Sequence, residues 1–125
     1  MFSLLRQCRG RNIATEMAHL VATPSQDGLI IKIIGEMRLQ VEQLERQLDR
    51  LALQRPKRVV IDLSELTSVS SLGMGVLVSH RRNVVRNGGV VYLAAVQPLV
   101  RGALCHARLD QLFPMFPTVE EAQAA

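Results

Sequence analysis

Tryptophan is absent from the 125 residues of this chain, which contain only one tyrosine and three phenylalanines. This scarcity of aromatic rings argues against a platform on which nucleic-acid bases could stack. The 15 basic residues exceed the 11 acidic ones by four, and they form no dense basic block. We therefore expect no nucleic-acid binding, and the modest positive charge favours acidic partners or anionic membrane surfaces.

Cysteine and histidine are also scarce. Cys8 and Cys105 are too few for a disulfide scaffold, and the three histidines (His19, His80, His106) show no metal-ligand spacing. We expect no metal and no cofactor, with Cys105 as a small buried residue on a helix.

No apolar run is long enough to span a membrane, so the sequence predicts no integral membrane segment. The chain begins apolar and then becomes basic, the reverse of a signal peptide, which predicts a cytoplasmic protein. Residues 1–15 form a basic extension carrying Arg6, Arg9 and Arg11. One interpretation is a frayed, loosely packed terminus. The other is a short basic amphipathic helix that makes a peripheral contact with a membrane or a partner.

The remaining residues, 16–125, are of the size of one domain. Apolar runs and turn residues predict strands at Met17–Thr23, Leu29–Ile34 (ended by Gly35), Arg58–Leu63 and Val90–Ala95, with a short edge strand within Phe113–Phe116. Helical periodicity predicts helices at Arg38–Leu53, Leu72–Asn87 and Leu99–Leu109, and Thr118 can cap a last one. The third helix should bury Leu99, Val100, Ala103, Leu104 and Ala107. We therefore predict a single α/β domain: an opening β-hairpin, then alternating strands and helices, with about four helices and a mixed β-sheet of four to five strands.

The most informative stretch is Val59–Val78, in which a buried strand leads through a serine-rich turn into an apolar helix. Ser70 and Ser71 lie where that helix begins, and free backbone N–H groups converge there with the positive end of the helix dipole. The turn suits a negative charge, which a serine acquires by phosphorylation. The alternative is that the two serines simply cap the helix. Gly73 and Gly75 are equally consistent with close packing of the helix on the sheet.

Taken together, these segments resemble the STAS domain, the fold of bacterial anti-sigma factor antagonists. Ser71 falls on the position of the family's phosphorylatable serine, and Gly73 and Gly75 fall on the two glycines that follow it. The other matching segments are Gly35-Glu36-Met37, similar to the family's Gly-Glu-Leu, then Val59–Ser64, Val100–Pro117 and Thr118–Ala122. Three positions differ from the usual pattern: Ser70 and Arg38 stand where acidic residues are common, and Leu72 stands where Ser or Thr is usual.

The resemblance implies a non-enzymatic binding module that acts as an anti-sigma factor antagonist. Its unphosphorylated form would bind an anti-sigma factor that is a serine kinase, and so control sigma-factor-dependent transcription. The kinase would phosphorylate Ser71, with Ser70 as the alternative, and a phosphatase would reset the cycle. The partner-binding residues would be Ser70, Ser71, Leu72, Gly73 and Met74. The other function consistent with the sequence is a soluble STAS subunit of an ABC-type lipid transport system that binds its ATPase.

Nothing in the sequence predicts an enzyme. It shows no activated nucleophile, no paired catalytic carboxylates and no cofactor fingerprint. Asp62, at the end of a predicted strand, is best interpreted as a turn or capping residue.

Overall fold

The computed structural model describes residues 18–125. The extension predicted at residues 1–15, and the first residue of the predicted first strand, lie outside the described part. The strands are β1 (His19–Pro24), β2 (Gly28–Met37), β3 (Arg58–Asp62), β4 (Leu66–Val69), β5 (Val90–Ala94) and β6 (Met115–Phe116). The helices are α1 (Glu42–Ala52), α2 (Ser71–Arg86), α3 (Pro98–His106) and α4 (Val119–Ala124), with a 3₁₀ turn at Leu109–Gln111.

The strands form one mixed sheet, as predicted. β1 and β2 make an antiparallel hairpin, and the sheet continues in the order β1-β2-β3-β5-β6 with parallel pairing from β2 onward. The fold class and the four helices are confirmed. The described sheet has six strands rather than the four to five expected.

The additional strand is β4. It forms because β2 extends beyond its predicted end at Ile34 and offers β4 a strand to pair with. Gly35 does not end β2, because its φ of 107° lets the strand pass through an irregularity in register and continue to Met37. The end of β2 then pairs in parallel with β4. The expectation that Gly35 breaks the strand was therefore wrong. The consequence for function is that the serine-rich turn is joined directly to the end of β2.

The main core lies on one face of the sheet, beneath α1, α2 and α3. It includes Ile31 and Ile33 of β2, Leu48 of α1 and Leu77 of α2, all fully buried. On the opposite face, Ala122 of α4 packs with Val60 and Ala94 in a second, smaller cluster.

The predicted buried face of α3 is partly wrong. Val100 and Leu104, four residues apart, are fully buried, and Ala103 is half-buried. Leu99 is 72% exposed because it lies one position away from this stripe, on the solvent side of the helix. Ala107 is exposed because the helix ends at His106. Cys105 is also exposed, contrary to expectation, as its position beside Leu104 turns it away from the sheet.

His80 is a buried polar side chain between α1 and α2. Its Nδ1 lies 3.2 Å from the carbonyl oxygen of Leu48, and burial lowers the pKa of the imidazole. The neutral ring therefore hydrogen-bonds the two helices together within the core. Across residues 18–125 we find no helix with the length and apolar character required to cross a membrane.

Candidate functional site

The serine-rich turn lies at the carboxyl end of the parallel strands. β4 ends at Val69, Ser70 is the N-cap residue in extended conformation, and Ser71 is the first residue of α2. The backbone N–H of Ser70 donates to the carbonyl oxygen of Met37 at 2.8 Å. This bond fixes the turn to the end of β2, so the start of α2 is held by two strands.

The hydroxyl group of Ser70 is engaged within the turn. Its oxygen accepts a hydrogen bond from the backbone N–H of Gly73 at 3.3 Å, which caps the helix. The hydroxyl is also within hydrogen-bonding distance of the carbonyl oxygens of Met37 and Arg38, and its single proton can be donated to one of them. Ser70 is half-buried and serves as the cap and anchor of the turn.

Ser71 is in a different environment although it is the adjacent residue. It is exposed, and its hydroxyl makes no hydrogen bond to any residue between 18 and 125. The N–H groups of the first helical turn have no acceptor four residues earlier within the helix. The first turn of α2 also contains no acidic side chain that would balance the dipole. A negative charge on Ser71 would therefore meet unbalanced positive potential.

The two glycines that follow have different structural roles. A Cβ atom on Gly73 would lie 2.5 Å from the carbonyl oxygen of Met37 and 2.9 Å from Cγ2 of Val69. Gly73 is buried and allows α2 to approach the sheet. A Cβ atom on Gly75 would meet nothing within 4 Å. The packing interpretation therefore holds for Gly73 and is wrong for Gly75, which leaves a low point on the helix surface.

That low point belongs to an apolar groove between α2 and α3, which we call the switch groove. It begins at Ser71 and has a volume of about 470 Å³. The residues that line it are Ser71, Met74, Gly75 and Val78 from α2, and Ala103, His106, Ala107 and Leu109 from α3 and the turn after it. An apolar side chain of another protein could enter the groove and lie beside Ser71.

Exposed leucines surround the same end of the sheet. Leu39, Leu72 and Leu99 are 74%, 55% and 72% exposed. Each comes shortly after the carboxyl end of a parallel strand, where ligands bind in open α/β sheets. Exposed apolar side chains grouped at one end of a domain are typical of a surface that binds another protein.

The five residues predicted from sequence to bind a partner are contiguous, but they face different ways. Ser71 and Leu72 are exposed, Met74 lines the switch groove, and Ser70 and Gly73 hold the turn in place. Sequence reasoning missed Leu39, Leu99 and the α3 side of the groove. The exposed leucines carried no local signal, because at helical spacing they resemble core residues.

The described residues provide no evidence for a metal centre. Between residues 18 and 125 we find no cluster of three His, Cys, Asp or Glu side chains that could hold an ion. Asp62 has the expected turn role: its Oδ1 accepts a hydrogen bond from the backbone N–H of Ser64 at 2.9 Å.

Comparison with known proteins identifies the family. The STAS domain family model matches residues 19–122. A STAS-domain containing protein of Pseudomonas aeruginosa is 33% identical over 97 residues, a match that covers 75% of this chain and 95% of the relative.

Solved structures agree in fold. An anti-sigma factor antagonist from Mycobacterium paratuberculosis superposes with a TM-score of 0.79 and 22% identity, covering 89% of this chain and 95% of that one. The Bacillus cell fate determinant SpoIIAA in its phosphorylated form gives a TM-score of 0.66 and 21% identity, covering 86% and 97%. The STAS domain of a SulP transporter from Vibrio cholerae gives a TM-score of 0.62 and 14% identity, and the match covers 80% of each chain. The family model, which matches most of the chain, and the relative from Pseudomonas aeruginosa show that this chain belongs to the STAS domain family.

Proposed function

We propose that this protein is an anti-sigma factor antagonist whose binding is switched off by phosphorylation of Ser71. In its unmodified form it binds an anti-sigma factor that is a serine kinase, and so controls sigma-factor-dependent transcription in the cytoplasm. A phosphatase restores the binding form. The observation that carries the proposal is the contrast between the two serines: Ser70 is engaged in the turn, whereas the Ser71 hydroxyl is exposed at the start of α2 beside the switch groove.

The position of Ser71 supports a switch that leaves the fold unchanged. Phosphorylation adds about −1.5 to −2 charges and three acceptor oxygens. Near the N-terminus of α2 such a charge is stabilised by roughly 0.3–1 kcal/mol. Because Ser71 is exposed, the phosphate displaces no core side chain. The modified domain should therefore stay folded.

The same phosphate would be costly within an interface. A partner that covers Ser71 and fills the switch groove would have to desolvate the phosphate against apolar surface. A loss of about 2.8 kcal/mol in binding free energy would weaken the complex about a hundredfold. One modification could thus release the partner.

The geometry also supports Ser71 rather than Ser70 as the acceptor. A kinase needs the hydroxyl to be free to attack the γ-phosphoryl group. The Ser70 oxygen accepts from Gly73 N–H and lies against the carbonyl oxygens of Met37 and Arg38. Phosphorylating it would remove the cap and the hydrogen bond that the hydroxyl donates to one of these carbonyl oxygens. The Ser71 hydroxyl has no such role within the described residues.

A binding role without catalysis fits the surface around the turn. Leu39, Leu72 and Leu99 provide apolar contact area around an apolar groove. Neither the family match nor the structural neighbours indicate an enzyme family. We therefore propose that Ser71, Leu72 and Met74 contact the partner, while Ser70 and Gly73 hold the turn in shape.

The test is to capture the partner and then map the modification. Immobilised wild-type protein and a Ser71→Asp variant are incubated with lysate of the native organism, and bound proteins are quantified by mass spectrometry. We expect an anti-sigma factor kinase on the wild type and much less on Ser71→Asp. Incubation of the captured kinase with ATP should place phosphate on Ser71, and release should persist in Ser70→Ala and fail in Ser71→Ala.

Two results would overturn the proposal. Phosphate on Ser70, with release lost in Ser70→Ala alone, would move the switch by one residue. Capture of a transporter ATPase, unaffected by Ser71→Ala and without phosphorylation, would instead support the lipid-transport subunit. The STAS fold is compatible with that second candidate as well, since a transporter's STAS domain shares it.

A further inference from the structure

Basic side chains lie together on the outer surface of α1 and α2, away from the sheet. Arg46 and Arg50 are exposed on α1, and Arg82 and Arg86 are exposed on α2. The members of each pair are four residues apart, so they lie on the same side of their helix, one turn apart. The loop that follows α1 adds two more exposed cations. We call these six residues the basic face: Arg46, Arg50, Arg55, Lys57, Arg82 and Arg86.

A contact between the two helices brings the arginine pairs to nearly the same height. The side-chain amide of Asn83 donates a hydrogen bond to Oδ1 of Asp49 at 3.3 Å. Arg82 directly precedes Asn83, and Arg50 directly follows Asp49. Because the axes of packed helices lie about 8–10 Å apart, the two pairs form one continuous patch.

The fold does not account for this concentration of positive charge. The 16 residues of α2 include no acidic one, and the acidic residues of α1 other than Asp49 lie in its first turn. The ion pairs within residues 18–125 involve none of the six cations. Arg50 and Arg86 lie in the last turns of their helices, where a cation favours the dipole. Arg46 and Arg82 lie one turn earlier, and like charges four residues apart destabilise a helix.

An exposed apolar side chain lies among these cations. Leu53, the residue at the end of α1, is 77% exposed. It lines a pocket of about 290 Å³ together with Ala52 and Arg86. Cations around a protruding apolar side chain match an anionic bilayer, in which phosphates lie above the acyl chains.

The basic face lacks the aromatic rings with which proteins stack nucleic-acid bases. The aromatic residues between positions 18 and 125 are Tyr92, Phe113 and Phe116, and all three pack in the hydrophobic clusters. Charge and apolar character together therefore favour a lipid surface over a nucleic acid.

We propose that the basic face docks on an anionic membrane surface, with its cations at the lipid phosphates and Leu53 in the interface. α2 has 16 residues and is about 24 Å long, with Ser71 first and Arg86 last. The docked domain therefore keeps the switch groove directed away from the bilayer. This inference does not depend on the function proposed above.

Vesicle binding by the full chain tests the proposal. Vesicles of phosphatidylcholine with phosphatidylglycerol should sediment the wild type, pure phosphatidylcholine vesicles should not, and salt should weaken the binding. Arg82→Glu with Arg86→Glu should lower the partition coefficient at least about tenfold. Arg38→Glu with Arg101→Glu is the matched control, because it makes the same charge change at exposed positions outside the basic face. It should bind the vesicles much more tightly than the first pair.

The absence of tryptophan allows the membrane contact to be located. Leu53→Trp and Leu39→Trp each introduce a single indole at a site that is 77% or 74% exposed, after and before α1. On the anionic vesicles, the emission of Leu53→Trp should shift to shorter wavelength because the indole leaves water. The emission of Leu39→Trp should not shift.

Three results would overturn the proposal. The first is no binding to anionic vesicles, or an equal loss of binding in the two charge-reversed pairs. The second is an emission shift in Leu39→Trp without one in Leu53→Trp, which would place another part of the chain on the membrane. The third is tighter binding of single-stranded RNA than of vesicles, lost in Arg82→Glu with Arg86→Glu, which would assign the basic face to nucleic acid.

Discussion

The two ends of the parallel sheet are built in opposite ways. At the amino end, main chain packs directly on main chain: a Cβ atom on Gly28 would lie 2.0 Å from the carbonyl oxygen of Arg58, and one on Gly89 would lie 2.3 Å from that of Pro56. The Arg58 guanidinium donates to the carbonyl oxygens of Gln123 and Ala125. The contacts at this end are structural, and those of Arg58 hold α4 in place.

At the carboxyl end, the side of α2 that faces the sheet is closely packed, whereas its outer side is exposed to solvent. Gly73 also packs closely, since a Cβ atom there would lie 2.5 Å from the carbonyl oxygen of Met37, so the start of α2 has a fixed position. Above it lie Ser71, Leu72 and the switch groove, which contact solvent. The difference shows how a small domain can present a rigid recognition surface. The contacts between α2 and the sheet fix the helix, and the exposed side of the helix remains available to a partner.

The largest expected effect comes from the amino end. Gly28→Ala places a methyl group on the carbonyl oxygen of Arg58, and such overpacking typically costs about 1–3 kcal/mol. Urea unfolding should show this loss in the free energy of unfolding. Affinity of the folded fraction for the partner should be unchanged. A variant as stable as the wild type, or one that binds weakly while folded, would mean that this end is not purely structural.

The next effect should appear at the carboxyl end in binding alone. Ser71→Asp introduces a charge at the surface that the partner covers, so affinity should fall at least tenfold, about 1.4 kcal/mol. The melting temperature should change little, because the charge lies near the free N–H groups of α2. Titration of the captured kinase measures the affinity, and thermal unfolding measures the melting temperature.

Ser25→Asp is the matched control for that variant. It makes the same change in the β1–β2 turn, at the other end of the sheet. It should bind as the wild type does. If Ser25→Asp weakened binding as much as Ser71→Asp, net charge rather than the switch surface would govern affinity.

A smaller effect separates the two adjacent serines by stability. Ser70→Ala removes the N-cap that Gly73 N–H uses and should cost about 1 kcal/mol of unfolding free energy. Ser71→Ala removes a hydroxyl with no acceptor or donor between residues 18 and 125, so its cost should stay within about 0.5 kcal/mol. Denaturant titration of the two variants measures both losses in unfolding free energy. A larger loss in Ser71→Ala than in Ser70→Ala would assign the cap to Ser71.

Much of the fold could be predicted because each element carries its own periodic signal. The strand Arg58–Asp62 and the helix that starts after Ser70 were located within one or two residues. β4 was missed because Leu-Thr-Ser-Val is too short to give such a signal, and it becomes a strand only through pairing with the extended end of β2. Leu99 was placed in the core because its hydrophobicity does not reveal which side of α3 faces the sheet.

The position of the site could be predicted from the sequence, but the separate roles of its two serines could not. A serine pair before an apolar helix predicts the turn, yet both serines are equally good caps by residue type. The distinction depends on the carbonyl oxygens of Met37 and Arg38, more than 30 positions earlier in the chain. The switch groove depends on α3, which lies beside α2 only after folding. Contacts between distant segments therefore decided what local patterns could not.

The smallest effect concerns the two open glycines, Gly75 and Gly102. A Cβ atom at either position meets nothing within 4 Å, so each Gly→Ala should stabilise its helix by about 0.5–1 kcal/mol. Only Gly75 lines the switch groove. Gly75→Ala should therefore be more stable and yet bind the partner more weakly, whereas Gly102→Ala should be more stable and bind normally. Parallel urea unfolding and binding titrations measure both quantities. If Gly75→Ala bound as tightly as Gly102→Ala, the partner would not enter the groove at Gly75, and recognition would depend on Ser71 and the exposed leucines alone.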